Sequence, residues 1–554
     1  MKKSIKVVSL FLAMIIALTS VSIPTSVKAA DVIEGFHGGS GTQDDPYQIA
    51  TADEFEILRG HLIKDDGYDH TAFFETYFEL TDDIVYDAAK PLSTPALGLT
   101  KCRIDGKGHT VSGITSSGNP LFSLVNETEF TDITFKNCDL KNTPLIAKDV
   151  FDCKFSNITF SDSKVSFNYK NKTDYTDGSN FGGIKHYGAL VNWVYDSTAE
   201  NITVDIQMAY IGKGTFGMLF GNFRGNAKNI TTSGKLKADL SYDKNDQNVD
   251  LVGGMFGNIE GSVRDSVNNA DITVSFPNKK VSGFIGGISG GGSYPLDGPK
   301  TGWRYYNCKN KGDIKVTTKW KDQERLYIEV AGISAGYTEG DIENCSNSGN
   351  ISSFFSTETA GIANTLDGTI KNCKNTGKIS GADTKNVAGI INVALKNVSG
   401  CKNSGKISNS KSMIHYDGET EAAGILNSTE LEHGNVTVSN CKNSGKITAS
   451  NKTTQKNDAA GIINFLAQTD KYYTTVKKCQ NSGTITAEGW SVGIADLSGN
   501  WEVKGIKNVI KSCTNTGTIN IKKDRNGDKM VGILGYSMNT TIKDCKNKGK
   551  IIIK

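Results

Sequence analysis

Eight cysteines recur in one frame, Cys-x-Asn-x-Gly-x-Ile: Cys308, Cys345, Cys373, Cys401, Cys441, Cys479, Cys513 and Cys545. Their intervals are 37, 28, 28, 40, 38, 34 and 32 residues. Thiols at recurring positions bridge, bind metal or pack. Zinc sites use Cys-x-x-Cys pairs or cysteine with histidine, and neither pattern accompanies these residues, so no metal site is expected. With Cys102, Cys138 and Cys153 the total is eleven, which cannot pair completely. Frames stacked in register about 4.8 Å apart would hold neighbouring Cβ atoms just beyond the span of a disulfide. A column of reduced, buried thiols is the expectation.

The same frame carries charge and amides. Lys374, Lys402 and Lys442 follow the repeat cysteine, and Lys378, Lys406 and Lys446 follow the repeat glycine. Stacking would align them as two basic rows, readable as a solvated, aggregation-blocking face or as a groove for a polyanion. Asn375, Asn403, Asn443 and Asn481 recur between them, and stacked amides would form a hydrogen-bonded ladder. Aromatics sit in the inserts between frames. Trp303, Tyr305 and Trp320 are candidates for sugar stacking or a protein interface, against packing of the inserts onto the body. For catalysis the chain offers little. The acid pairs Asp44/Asp45, Asp65/Asp66 and Asp82/Asp83 lie near the N-terminus, the seven histidines are scattered, and no catalytic residue or cofactor is expected. Asp524-Arg525-Asn526-Gly527-Asp528 starts like a calcium loop. It lacks the glycine at position six and the glutamate at twelve, so it reads as a turn.

The elements that position these residues follow from the repetition. A second motif alternates with the frame: Val330-Ala331-Gly332-Ile333, Val387-Ala388-Gly389-Ile390, Ala422-Ala423-Gly424-Ile425 and their kin. Earlier the slot holds Gly217-Met218-Leu219-Phe220-Gly221-Asn222 and Gly253-Gly254-Met255-Phe256-Gly257-Asn258. Each unit reads as three short strands with alternating apolar residues. Units this small bury a face only by stacking. The expected fold is therefore all-β: a right-handed parallel β-helix of roughly a dozen three-strand rungs over 114–554. In Cys401–Ile407 the cysteine and isoleucine should face inward, the lysines outward, and Gly405 should supply a positive φ at the corner. Residues 31–113 differ. Thr51-Ala52-Asp53-Glu54 is a capping box opening a helix to about Leu62, which suits a small N-terminal α/β cap over a raw sheet edge.

Composition agrees. Gly 60 and Pro 9 of 554 residues exclude collagen and fit many tight turns between paired strands. Residues 1–30 read as a secretory signal, with Lys2, Lys3 and Lys6 ahead of an apolar run from Val7 to Leu18. That run is short for a bilayer, and no other candidate span follows. The net charge of +3 conceals an asymmetry, because residues 31–130 hold 18 acids against 6 bases. The rest of the mature chain is basic and points to anionic partners.

The lead-in Gly39-Ser40-Gly41-Thr42-Gln43-Asp44-Asp45-Pro46-Tyr47, the strand Leu80-Thr81-Asp82-Asp83-Ile84 and the segment Asp105-Gly106-Lys107-Gly108-His109-Thr110-Val111 follow one another. This succession, with the repeats, resembles bacterial secreted β-helix proteins with GLUG-type repeats, over nearly all of the mature chain. The resemblance implies an exported extracellular or cell-surface protein, often Gram-positive and without known activity. The expected function is non-enzymatic adhesion or interaction with anionic polysaccharide, teichoic acid or a host or matrix protein. Specific nucleic-acid binding is not expected. The alternative is a carbohydrate-active β-helix enzyme of the polysaccharide lyase or glycoside hydrolase type, which would need carboxylates or Arg/Lys from adjacent rungs lining one cleft.

Overall fold

The computed structural model describes residues 33–60, 71–92, 97–169, 185–240, 249–276, 282–292, 303–318, 327–411, 420–451, 457–498, 503, 507–521, 532–537 and 539–553. The signal segment 1–30, Asp65/Asp66, Trp320 and the 524–528 loop lie outside them. The chain is a parallel β-helix. Strand pairing is parallel throughout the ladders, and antiparallel contacts are confined to the isolated bridges Gly38–Gln48 and Gln468–Tyr473.

Each rung is built from short strands set by the alternation of side chains. In one rung they are Asn386–Ala388, Ile391–Ala394, Val398–Ser399, Lys402–Asn403 and Ile407–Lys411. A rung thus has five pairing segments rather than the three expected. The difference arises because Gly389-Ile390 is a corner between two strands and the Asn-x-Gly run is a second corner. The corners still bond from rung to rung, as in Gly389 N–H to Ala423 O at 3.0 Å and Ser404 N–H to Asn375 O at 2.9 Å, so few backbone groups are left without partners. The Ala-Gly-Ile strands form their own ten-stranded parallel sheet, from His186–Gly188 to Ser491–Val492.

The column of strands leading into the repeat cysteines pairs in parallel from Tyr47–Ile49 to Thr540–Lys543, sixteen rungs deep, with local register shifts such as that between Trp303 and Tyr305. Its first three strands, Tyr47–Ile49, Tyr77–Leu80 and Arg103–Asp105, fall within the segment read as a cap. That segment is therefore the start of the solenoid itself. Helix α1 spans Ala52–Leu58 and is inserted after the first strand. Thr51 and Glu54 form the capping box, with Glu54 N–H to Thr51 Oγ1 at 3.3 Å and Thr51 N–H to Glu54 Oε2 at 3.0 Å. The helix ends at Arg59, short of Leu62, because Gly60 turns to a left-handed φ of 86°; the buried Arg59 guanidinium bonds Leu121 O at 3.1 Å and Glu56 at 2.6 Å. Phe36, stacked on Tyr47 at 4.6 Å and edge-on to Phe78 at 5.7 Å, packs against the first rungs.

The repeat frame alternates strictly: Cys401, Asn403, Gly405 and Ile407 are buried, while Lys402, Ser404 and Lys406 are exposed. Gly405 does not adopt a positive φ, contrary to expectation. The left-handed residue is the one before the cysteine: Asn372 at φ 55°, Gly400 at 66°, Asn440 at 55°. Gly405 is required by close approach instead, since a Cβ there would lie 2.0 Å from Gly377 O.

Candidate functional site

The Asn-x-Gly corner carries the candidate site. Buried asparagines run through it as one chain of amides. Asn347 donates through Nδ2 to Asn375 Oδ1 at 2.8 Å, Asn375 to Asn403 and Asn403 to Asn443 at the same distance, and Asn443 to Asn481 at 2.8 Å. The ladder extends back to Asn268 and on to Asn547. From Asn310 to Asn515 each amide also donates to the carbonyl of the glycine two residues on, as Asn403 does to Gly405 O at 3.1 Å. Glycines enclose the column. A Cβ on Gly389 would lie 2.7 Å from Asn403 Cγ, and one on Gly445 would lie 2.8 Å from Asn403 Nδ2. The amides are consumed in holding the corner flat and have no capacity left for a ligand.

Outside this ladder lies the charge. Lys374 pairs in register with Lys402, and Lys402 with Lys442. Lys378, Lys406 and Lys446 form a second row, linked through Ile379 N–H to Lys406 O and Ile407 N–H to Lys446 O, both at 2.9 Å. All six are exposed, and among the described residues none makes an ion pair. Thr376, Ser404 and Ser444 stand between the rows, all exposed, with Ser482 next in line on the rung beyond; the hydroxyls of Ser444 and Ser482 donate to Asn403 O and Asn443 O, both at 3.4 Å. Beside the first row the surface sinks into an open groove of about 510 Å³, lined by Lys374, Lys402 and Lys442 with Ser404, Ser444 and Ser482 and further Asn, Gln and Thr side chains. Its lining holds no acid and no aromatic ring. The arrangement is suited to holding several anionic groups at once by charge and hydroxyl contacts.

The repeat cysteines form the neighbouring inward column. All eleven cysteines of the chain are free thiols, buried except Cys545, which is half-buried. Their Sγ atoms point to carbonyls, as in Cys401 to Ser399 O at 3.4 Å and Cys479 to Lys477 O at 3.4 Å. Burial pushes the thiols of Cys102 and Cys138 up to about 11 and that of Cys153 to about 12, away from the reactive thiolate.

Among the described side chains no aromatic candidate lines the groove. Tyr305 is fully buried, which corrects the reading of it as a surface platform. It takes the inward place held by Val263 below and Ile342 above, and its hydroxyl bonds Ser289 and Ser334, the latter at 3.2 Å. Burial pushes its hydroxyl up to about 12. Trp303 opens the strand Trp303–Tyr306.

Two groupings were not anticipated. Glu329, Glu358, Asn386, Glu421 and Asp458 occupy one position of successive rungs in the ten-stranded sheet. Beyond the acid pairs near the N-terminus, carboxylates thus also meet on successive rungs. Glu329 and Glu358 are half-buried neighbours, each with one oxygen lacking a hydrogen-bond partner. Burial holds both well above the usual carboxylate range, Glu358 at about 7, and for Glu329 the charge of Glu358 adds to the effect. The second grouping centres on Asp367, which receives Lys396 Nζ at 2.9 Å, the Tyr337 hydroxyl at 3.4 Å and His433 Nε2 at 3.7 Å. These four come from four successive rungs. The acid column does have a signature in the chain: each member stands three residues before the glycine of its Ala-Gly-Ile corner. The Asp367 group has none, because its members sit at different offsets.

Comparison with known proteins adds no identity. No family model matches the chain, and no curated protein does. Among solved structures, a putative immunoglobulin A1 protease from Bacteroides ovatus aligns over 72% of this chain and 87% of its own, at 16% identity and a TM-score of 0.27. At that score nothing about activity carries over. Among the described residues no helix is long and apolar enough to cross a membrane.

Proposed function

We propose that this protein is an exported, non-enzymatic β-helix that binds anionic polymers, such as teichoic acid or acidic polysaccharide, at or outside the cell surface. The observation that carries the proposal is the double row of lysines. Six like charges are held in two rows about 4.8 Å apart from rung to rung, the first row lining a groove, and among the described residues no acid pairs with them. The basic balance of the chain after residue 130, the secretory-type leader and the resemblance to GLUG-type surface proteins support the extracellular setting. Pull-down of the secreted chain on immobilised teichoic acid and on heparin, at 50 and 200 mM salt, tests it. Retention at low salt and release at high salt is the expected result. Absence of retention on every anionic support at low salt refutes it.

A second reading, the carbohydrate-active enzyme, is favoured by the Glu329–Glu358 pair. One carboxyl held protonated near neutrality beside another on the next rung is the arrangement that acid–base catalysis employs. Release of reducing ends from acidic polysaccharides by the secreted chain, abolished in Glu358→Gln, would establish it.

A further inference from the structure

The lysine rows are short. Along the first, the position held by Lys374, Lys402 and Lys442 is occupied by Ser346 on the preceding rung and Gln480 on the following one. Along the second, Asn350 precedes Lys378 and Thr484 follows Lys446. Both rows therefore start and stop on the same three rungs, a stretch of about 10 Å between the outer lysines of each row. The ends coincide although the rungs differ in length, 28 residues separating Cys373 from Cys401 and 40 separating Cys401 from Cys441. The lining also excludes chemistries. Single-stranded nucleic acid is held by stacking its bases on aromatic rings, and sugar rings are commonly held the same way. The groove offers lysine, serine, threonine, asparagine and glutamine only. Lysine rather than arginine supplies point charges without a planar fork, which suits tetrahedral anions approached from varied directions.

Resting on the polyanion reading above, we infer that the site takes a slender, ring-free phosphodiester chain, of the poly(glycerol phosphate) type, laid along the rod axis across three rungs. The phosphates sit between the two lysine rows over the line of Thr376, Ser404 and Ser444, and chain beyond the three rungs hangs free. The site therefore measures length. Affinity should climb as the oligomer grows to cover Lys374 to Lys442 and then level off.

The test is titration of the full secreted chain with poly(glycerol phosphate) oligomers of increasing length, with oligogalacturonate and single-stranded DNA of equal charge as comparators. The expected outcome is a plateau in affinity with length and weaker binding of both comparators. With one phosphate held between the lysines of each of the three rungs, affinity should fall about 20-fold between 50 and 200 mM salt. Lys402→Gln, at the centre, should lower the salt slope by about 0.7, and Lys546→Gln, an isolated lysine of the same column, should not change it. Gln480→Lys adds a fourth rung to the first row and should move the plateau to a longer oligomer. Equal binding of galacturonate or DNA overturns the phosphodiester assignment. Affinity that keeps climbing, or a plateau unmoved by Gln480→Lys, overturns the three-rung site while leaving polyanion binding standing. If no polyanion binds at 50 mM salt, the broader reading falls with it.

Discussion

At the scale of single residues, the buried polar positions divide into those that are satisfied and those that are not. A second asparagine column makes the contrast. Asn392 donates to Asn364 at 2.8 Å, Asn427 to Asn392 at 2.5 Å and Asn464 to Asn427 at 2.6 Å. The next rung places Asp496 in line, between the paired positions Ile463–Ala495 and Phe465–Leu497. Asn464 Oδ1 and Asp496 Oδ1 are both without partners, and Asp496 is buried. A carboxylate cannot donate to Asn464, whereas a carboxylic acid can. Burial, with the charges of Asp458 and Glu421, holds the Asp496 carboxyl well above its usual range, in keeping with that role. The sign of the pH effect follows. Below about pH 3.9, the unfolded value, both states are protonated and the contribution is whole. As pH rises, the unfolded state ionises while the folded state keeps its proton, so this contribution is lost toward neutrality. Asp496→Asn should raise stability at pH 7 by about 1–3 kcal/mol. It should also flatten the dependence, as read from denaturant midpoints between pH 4 and pH 8. A variant less stable than the parent at pH 7 would contradict the assignment. The thiols give a second prediction: in the native state a water-soluble thiol reagent should reach Cys545 alone, and slowly, because its contact with Cys513 and its partial burial hold its thiol above the ordinary range, whereas all eleven cysteines should label after denaturation.

At the scale of the rung, glycine and asparagine act together. Gly405→Ala would push a methyl to 2.0 Å from Gly377 O, backbone that cannot give way without parting two rungs. A loss on the order of 3 kcal/mol is expected in denaturant unfolding. Asn403→Ala should cost about 2 kcal/mol, by stranding the Oδ1 acceptor of Asn443 and the donor of Asn375 in the core. The alternation from Cys401 to Ile407 was readable in the chain because period two marks a strand whichever rung it joins. The role of Gly405 was not, because close approach between rungs and positive φ both select glycine. Tyr305 misled for a related reason. Its aromatic neighbours Trp303 and Tyr306 made the segment look like an insert, yet register puts Tyr305 in the inward column between Val263 and Ile342. The acid column went unseen because its members lie 28 to 37 residues apart and meet only after the stack is built. The grouping of Tyr337, Asp367, Lys396 and His433 depends on inserts of unequal length, and no periodicity reports it.

At the scale of the whole molecule, stacking converts a modest local pattern into a strong field. Sixteen rungs share one continuous core, so a charge at a fixed place in the frame is repeated along the axis. Lys374, Lys402 and Lys442 lie on consecutive rungs, and so do Lys378, Lys406 and Lys446. Each neighbouring pair costs on the order of 0.5 kcal/mol in dilute buffer. The Debye length is about 10 Å at 0.1 M salt and 3 Å at 1 M, so charges about 4.8 Å apart are screened only at the upper end. The free protein should therefore grow more stable as sodium chloride rises from 0.05 to 1 M. The gain should shrink in a variant carrying Lys374→Gln, Lys402→Gln and Lys442→Gln, which should itself be more stable than the parent at low salt. A polyanion that binds the folded rod should raise Tm further at low salt, increasingly with its concentration. This pairs a stability gain on removing the lysines with a loss of binding. Differential scanning calorimetry of parent and triple variant, with and without poly(glycerol phosphate), reads both. A triple variant less stable than its parent at 0.05 M salt would mean that the lysine stems pack the corner, and that the rows persist for the fold rather than for an anionic partner.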